Sequence, residues 1–115
     1  MYLDTQSALA LNSYYKAKGF ADTTAYTEPY GFDIHITFQP IYNGIILDGY
    51  ETVILSGESA EALQRDAKAY LDNCTREVER TEQEDDVEAY EYAVGCLSAA
   101  EKIVEATEEW LEENE

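Results

Sequence analysis

The stretch Phe32-Asp33-Ile34-His35-Ile36-Thr37-Phe38 decides the fold class. Apolar Phe32, Ile34, Ile36 and Phe38 alternate with polar Asp33, His35 and Thr37, the period-two signature of a strand with one buried face. Tyr50 to Leu55 predicts a second strand and Phe20 to Thr27 a weaker third. Asn43-Gly44 and Asp48-Gly49 both signal hairpin turns, yet they lie too close together for both to join full strands. One of them is expected to be a bulge or an irregular connection, and Pro40 places its segment at an edge. The expectation is an antiparallel sheet of three or four strands.

On either side of this segment the period becomes helical. Upstream, Asp4 or Thr5 can cap a first helix with Ala8, Leu9, Leu11 and Tyr15 as inward candidates and Gly19 as its stop. Downstream, Ser56 or Ser59 can cap a helix whose apolar stripe runs Ala60, Leu63, Ala67, Tyr70, Cys74 and Val78. A further stripe runs Tyr90, Ala93, Leu97, Ala100, Val104, Thr107 and Leu111. Thr81-Glu82-Gln83-Glu84 reads as a capping box that starts this last helix. The result is a helical hairpin with a tight connection within 79–86; one long bent helix is the alternative, since no Gly or Pro falls between Gly57 and Gly95. The fold class is therefore α+β: an N-terminal helix, an antiparallel sheet and a C-terminal acidic helical hairpin. The 115 residues are expected to form a single domain, 1–57 giving helix plus sheet and 58–115 the hairpin, since neither part could bury a core alone.

Charge is the outlying property. The chain holds 25 acidic and 7 basic residues, a formal net charge of −18. A soluble domain of this size needs a net magnitude of only roughly 2–8. Residues 1–57 hold 6 acids and 2 bases, whereas 58–115 hold 19 acids and 5 bases. Such a surface excludes direct binding of nucleic acid or an anionic membrane, and calls for a cationic partner. No basic leader, long apolar run or disulfide framework is visible, with Cys74 and Cys96 read as buried free thiols, so a cytoplasmic location is expected.

The candidate partner-binding residues form two clusters. Glu82, Glu84, Asp85, Asp86, Glu88 and Glu91 crowd the expected start of the last helix, where carboxylates suit the helix dipole. Glu101, Glu105, Glu108, Glu109, Glu112, Glu113 and Glu115 crowd its end, where they oppose the dipole and repel one another at i,i+4 spacing. Lys102 is the one cation in the last 35 residues, so helix stability alone does not account for these acids. Residues 82–115 carry 13 acids. As one helix they would run about 51 Å, one charge per roughly 4 Å, close to the phosphate spacing of a DNA strand. Ten tyrosines add contact area, among them Tyr14, Tyr15, Tyr90 and Tyr92 along the helices and Tyr26, Tyr30, Tyr42 and Tyr50 at the sheet edge or loops. Tyr92 joins the candidate site, because Tyr beside carboxylates suits an arginine-rich partner.

In size, charge, tyrosine content and acidic helices the chain resembles the DNA mimics encoded by phages and mobile elements, the anti-CRISPR and anti-restriction inhibitors. The resemblance is one of composition and layout. It implies a non-catalytic inhibitor that occludes the basic groove of a nuclease complex, without a cofactor. An acidic adaptor or accessory subunit holding a basic protein segment is the alternative, and a homodimer through the apolar seam is the alternative assembly. A third reading rests on Glu79/Glu82, Asp85/Glu88 and Glu88/Glu91. Their i,i+3 spacing is that of Mg²⁺-binding carboxylates in all-α nucleotide pyrophosphohydrolases. His35, opposite the apolar strand face, completes no catalytic set.

Overall fold

The structure is a computed structural model that describes residues 4–20, 22–28 and 31–114. Ala21, Tyr30 and Glu115 lie outside the described residues. In chain order the elements are α1 (Thr5–Ala17), β1 (Asp22–Glu28), β2 (Gly31–Phe38), β3 (Ile41–Tyr42), β4 (Ile45–Ile46), β5 (Glu51–Ser56), α2 (Ala60–Glu84) and α3 (Val87–Asn114). The architecture is α+β, as the alternation and the helical stripes imply.

β2 is the central strand of an antiparallel sheet ordered β1-β2-β5. Its register sets Ile34 between Ala25 and Leu55, and Ile36 between Thr23 and Val53. Phe32, Ile34, Ile36 and Phe38 are all buried, together with Val53 and Leu55, so one face of the sheet is the floor of the core. Helix α1 packs on β1 and β2 and helix α2 on β5, and Leu11, Tyr15, Ile103, Trp110 and Leu111 join the same core, α3 lying against α2 and α1. β3 and β4 form a separate two-stranded hairpin turned by Asn43-Gly44, whose positive φ angles of 51° and 78° suit such a turn. Asp48-Gly49 is the irregular connection.

Of the two candidates at each N-cap, the first helix uses Asp4, which accepts from Ser7 N at 2.9 Å, and the second Ser59, which accepts from Ala62 N at 3.0 Å. Gly19, with φ of 98°, follows the end of α1. Leu9 is a correction. It is 59% exposed, because the inward face of α1 runs through Ala8, Leu11 and Tyr15, and Leu9 falls outside that arc.

The helical hairpin turns at Asp85 and Asp86, within the expected 79–86, but the capping box read for it is the second correction. Thr81 does not cap a new helix; its hydroxyl donates back to the carbonyls of Glu77 at 2.8 Å and Val78 at 3.1 Å, inside an uninterrupted α2. Asp85 ends α2 in the left-handed region, φ 61° and ψ 28°. Asp86 caps α3, its Oδ1 accepting from Ala89 N at 3.2 Å. A side chain that returns to its own helix leaves the next turn nothing to start on, so the break falls where the left-handed residue permits it. The stripe of α3 is also rotated from its expected phase. Cys96, Ile103, Ala106 and Trp110 are buried beside Ala93, Ala100, Thr107 and Leu111, whereas Leu97 and Val104 are half-buried. The seam between α2 and α3 closes within the chain.

Candidate functional site

The acidic surface belongs to α3 and the turn before it. Helix α2 carries seven acids against four bases, whereas α3 carries eight acids against Lys102 alone. With Asp85 and Asp86 added, residues 85–114 hold ten acids and one base, a net of −9. At about 100° per residue, the acids of α3 from Glu88 to Glu113 fall within an arc of roughly 160°, opposite most of the buried residues, with Gly95 and Ala106 at one edge of it. Within it, Glu101, Glu105, Glu108 and Glu112 form one narrow stripe.

The surface is not one continuous row. Glu82 and Glu84 sit at the C-terminal end of α2, so they oppose that helix's dipole instead of favouring α3's start. Helix α3 has 28 residues, about 42 Å of rise, replacing the longer helix expected over 82–115. No acid occurs from Tyr92 to Ala100, and there the β3–β4 hairpin seats against the helix. A Cβ on Gly95 would stand 2.7 Å from Pro40 Cβ and 3.1 Å from Ile41 N, so only glycine lets the hairpin approach this closely. Gly95→Ala therefore destabilises by about 1 kcal/mol or more, the helix-propensity gain being smaller than the overpacking cost. Urea unfolding measures it, and amide shifts at Ile41 and Tyr42 report the displaced hairpin.

The acids divide by engagement. At the tip, Arg80 bridges Glu77 and Glu84, each at 2.7 Å, and Asp86 is occupied as a cap. At the other end, Glu109 receives Lys18 Nζ at 2.8 Å and the Tyr14 hydroxyl at 2.7 Å, and Glu108 faces Lys68 at 3.9 Å. Among the described residues, the carboxylates of Glu82, Asp85, Glu88, Glu91, Glu101, Glu105, Glu112 and Glu113 carry no hydrogen bond or ion pair. Glu91 is half-buried and the other seven are exposed.

Lys18 and then Tyr14, as hydrogen-bond donors, hold the Glu109 carboxyl below its ordinary value of 4.5. A carboxyl whose folded pKa is depressed stabilises the fold above its unfolded pKa, and that contribution fades as pH falls through the folded value. Lys18→Met will therefore raise the Glu109 pKa, which a carboxyl-detected NMR titration below pH 6 reads directly.

No protein-family model, curated protein or solved structure matches this chain.

What the site can do thus rests on its own geometry. Among the described residues no three His, Cys, Asp or Glu side chains converge where a metal ion could be held, so the i,i+3 carboxylate pairs gain no third ligand. His35 packs edge-on against Tyr26, ring centroids 4.6 Å apart, on the outer sheet face. No helix of the described residues is long and apolar enough to cross a membrane. Of the tyrosines, Tyr15 is wholly buried, while Tyr14 and Tyr92 are half-buried with their hydroxyls on Glu109 and on Glu51 at 2.8 Å. Tyr92 thus faces a cleft between α2, α3 and the start of β5, rather than the acidic arc. Sequence reading missed that cleft. The signal was there in Cys74, Ala89, Ala93 and Cys96, small side chains facing one another across a hairpin seam and leaving room between the helices.

Proposed function

We propose that the protein is a non-catalytic acidic inhibitor that presents α3 to a basic nucleic-acid-binding groove and occludes it. One observation carries this reading: residues 85–114 hold a net charge of −9 on an exposed arc, against −3 for the adjoining α2, seven acids to four bases. Charge needed only for solubility would be shared between the helices, and cations would favour the last turn of α3. A groove that gains affinity on DNA by shedding counterions gains it in the same way from a fixed row of carboxylates. The two acidic groups flanking the β3–β4 hairpin divide that row into two contact zones.

An acidic adaptor for a basic protein segment is the second reading. It is favoured by the apolar hairpin between the two zones, where Ile45 and Ile46 are 64% and 63% exposed. Capture of partners on the immobilised chain at low salt, followed by challenge with duplex DNA, separates the two. Mimicry requires that DNA displace the captured protein and that binding weaken steeply with salt. A partner that DNA leaves in place sinks mimicry in favour of the adaptor.

A further inference from the structure

The cleft behind the acidic arc has a volume of about 310 Å³. Cys74 and Tyr70 on α2, Tyr92, Ala93 and Cys96 on α3, and Glu51 at the start of β5 form its walls. Those walls are mostly apolar. Burial, together with the field of Glu51, pushes the Cys96 thiol up to about 12 and raises that of Cys74 as well, so both are neutral and poorly nucleophilic near pH 7. A dry apolar cavity of about 150 Å³ is enough for benzene. Twice that volume suits two fused rings.

Two features set the polarity of an occupant. The Tyr70 hydroxyl is buried and makes no well-formed hydrogen bond; the neighbouring Cys74 thiol is at best a weak partner. A buried hydroxyl in that state favours any ligand group that can pair with it. Glu51 supplies the charge. Its carboxylate is fixed by the Tyr92 hydroxyl at 2.8 Å, and its field reaches Tyr70, Tyr92 and both thiols. At the rim Glu77 and Arg80 pair at 2.7 Å and offset each other. The cavity therefore keeps one uncompensated negative charge inside a chain of net −18.

We propose that this cavity binds a small organic cation with a two-ring aromatic body, its ammonium group directed to Glu51 and the Tyr70 hydroxyl. The rings fill the space between Ala93 and the two thiols, and the surrounding acids exclude anionic analogues. This site is separate from the acidic arc, and either reading can fail without the other.

The test is a nitrogen–proton NMR titration of the full chain with tryptamine, indole, indole-3-acetate and ethylamine. Tryptamine is expected to shift amides around Tyr70, Cys74, Ala93 and Cys96, and to bind at least roughly tenfold more tightly than indole-3-acetate. Ethylamine, with charge but no rings, should leave those amides unmoved. Glu51→Gln, which keeps an acceptor for Tyr92, should bring tryptamine within about twofold of indole, and Tyr70→Phe should weaken tryptamine more than indole. Equal binding of the acetate, or no effect of Glu51→Gln, overturns the assignment. So do shifts scattered along the acids of α3, which would mean surface ion binding only.

Discussion

Replacing Glu101, Glu105 and Glu112 together by Lys will weaken binding to a captured basic partner by at least roughly a hundredfold and leave the melting temperature unchanged or raised. These acids lie on one stripe of α3, are exposed and form no ion pair among the described residues. Reversing an exposed charge that meets an opposite one costs roughly 1 kcal/mol, and three such losses exceed a hundredfold in affinity. Stability moves the other way. Cations near a helix C-terminus suit the dipole, and the Glu105/Glu109 and Glu108/Glu112 repulsions become attractions, which outweigh the like-charge pair kept at positions 101 and 105. Glu109 is left alone, since reversing it would break its contacts with Lys18 and Tyr14. A matched triple, Glu58, Asp72 and Glu79 to Lys, changes net charge equally off the stripe. If both triples lose binding alike, bulk charge and not the arc is responsible. If the stripe triple binds normally, the arc is not the contact.

Tyr15→Ala will cost about 3–5 kcal/mol, enough to leave much of the chain unfolded given a typical total of about 5–15 kcal/mol. Tyr15 has no solvent exposure, meets Phe20 edge-on with centroids 6.1 Å apart, and hydrogen-bonds the Thr107 hydroxyl across the core. It ties α1 to α3 inside the core, beside the contacts that Tyr14 and Lys18 make with Glu109. Truncation opens a cavity under the sheet that the short α1 cannot collapse to fill. Tyr15→Phe isolates the hydroxyl. Because Thr107 also donates to the Ile103 carbonyl at 2.7 Å, it stays satisfied and the loss should be only about 1 kcal/mol. Urea midpoints of the two variants separate ring packing from hydrogen bonding. A small effect of Tyr15→Ala would mean that α1 is not part of the cooperative core.

The strand pattern was legible because side chains on a strand keep a strict period of two, so Phe32 to Phe38 could face the core in one way only. The caps at Asp4 and Ser59 were legible because they are local. What escaped was set by tertiary contact. The phase of α3 depends on Gly95 meeting Pro40, 55 residues away in sequence, and nothing near Ile103 or Trp110 announces it. Thr81 had two local options, capping forward or bonding backward, and continuation of α2 decided between them. The acids were legible as a class, but which of them are spent inside the fold was not. Glu109 is claimed by Lys18 and Tyr14, which are far away along the chain. The cleft at Glu51 escaped for the same reason, since it is closed by β5 against the helical hairpin.

The sparse packing of the hairpin's far end gives the two acidic zones different mechanics. From Thr75 to Tyr92 the one fully buried residue is Thr81, whereas Ala100, Ile103, Ala106, Thr107, Trp110 and Leu111 bolt the other end of α3 into the core. Segments with few buried contacts open at the lowest free energy, so amide protons at the tip exchange first. Glu82, Asp85, Glu88 and Glu91 therefore ride on a compliant arm that can follow the contour of whatever it meets. Glu101, Glu105 and Glu112 stand on a rigid strut, already aligned before contact.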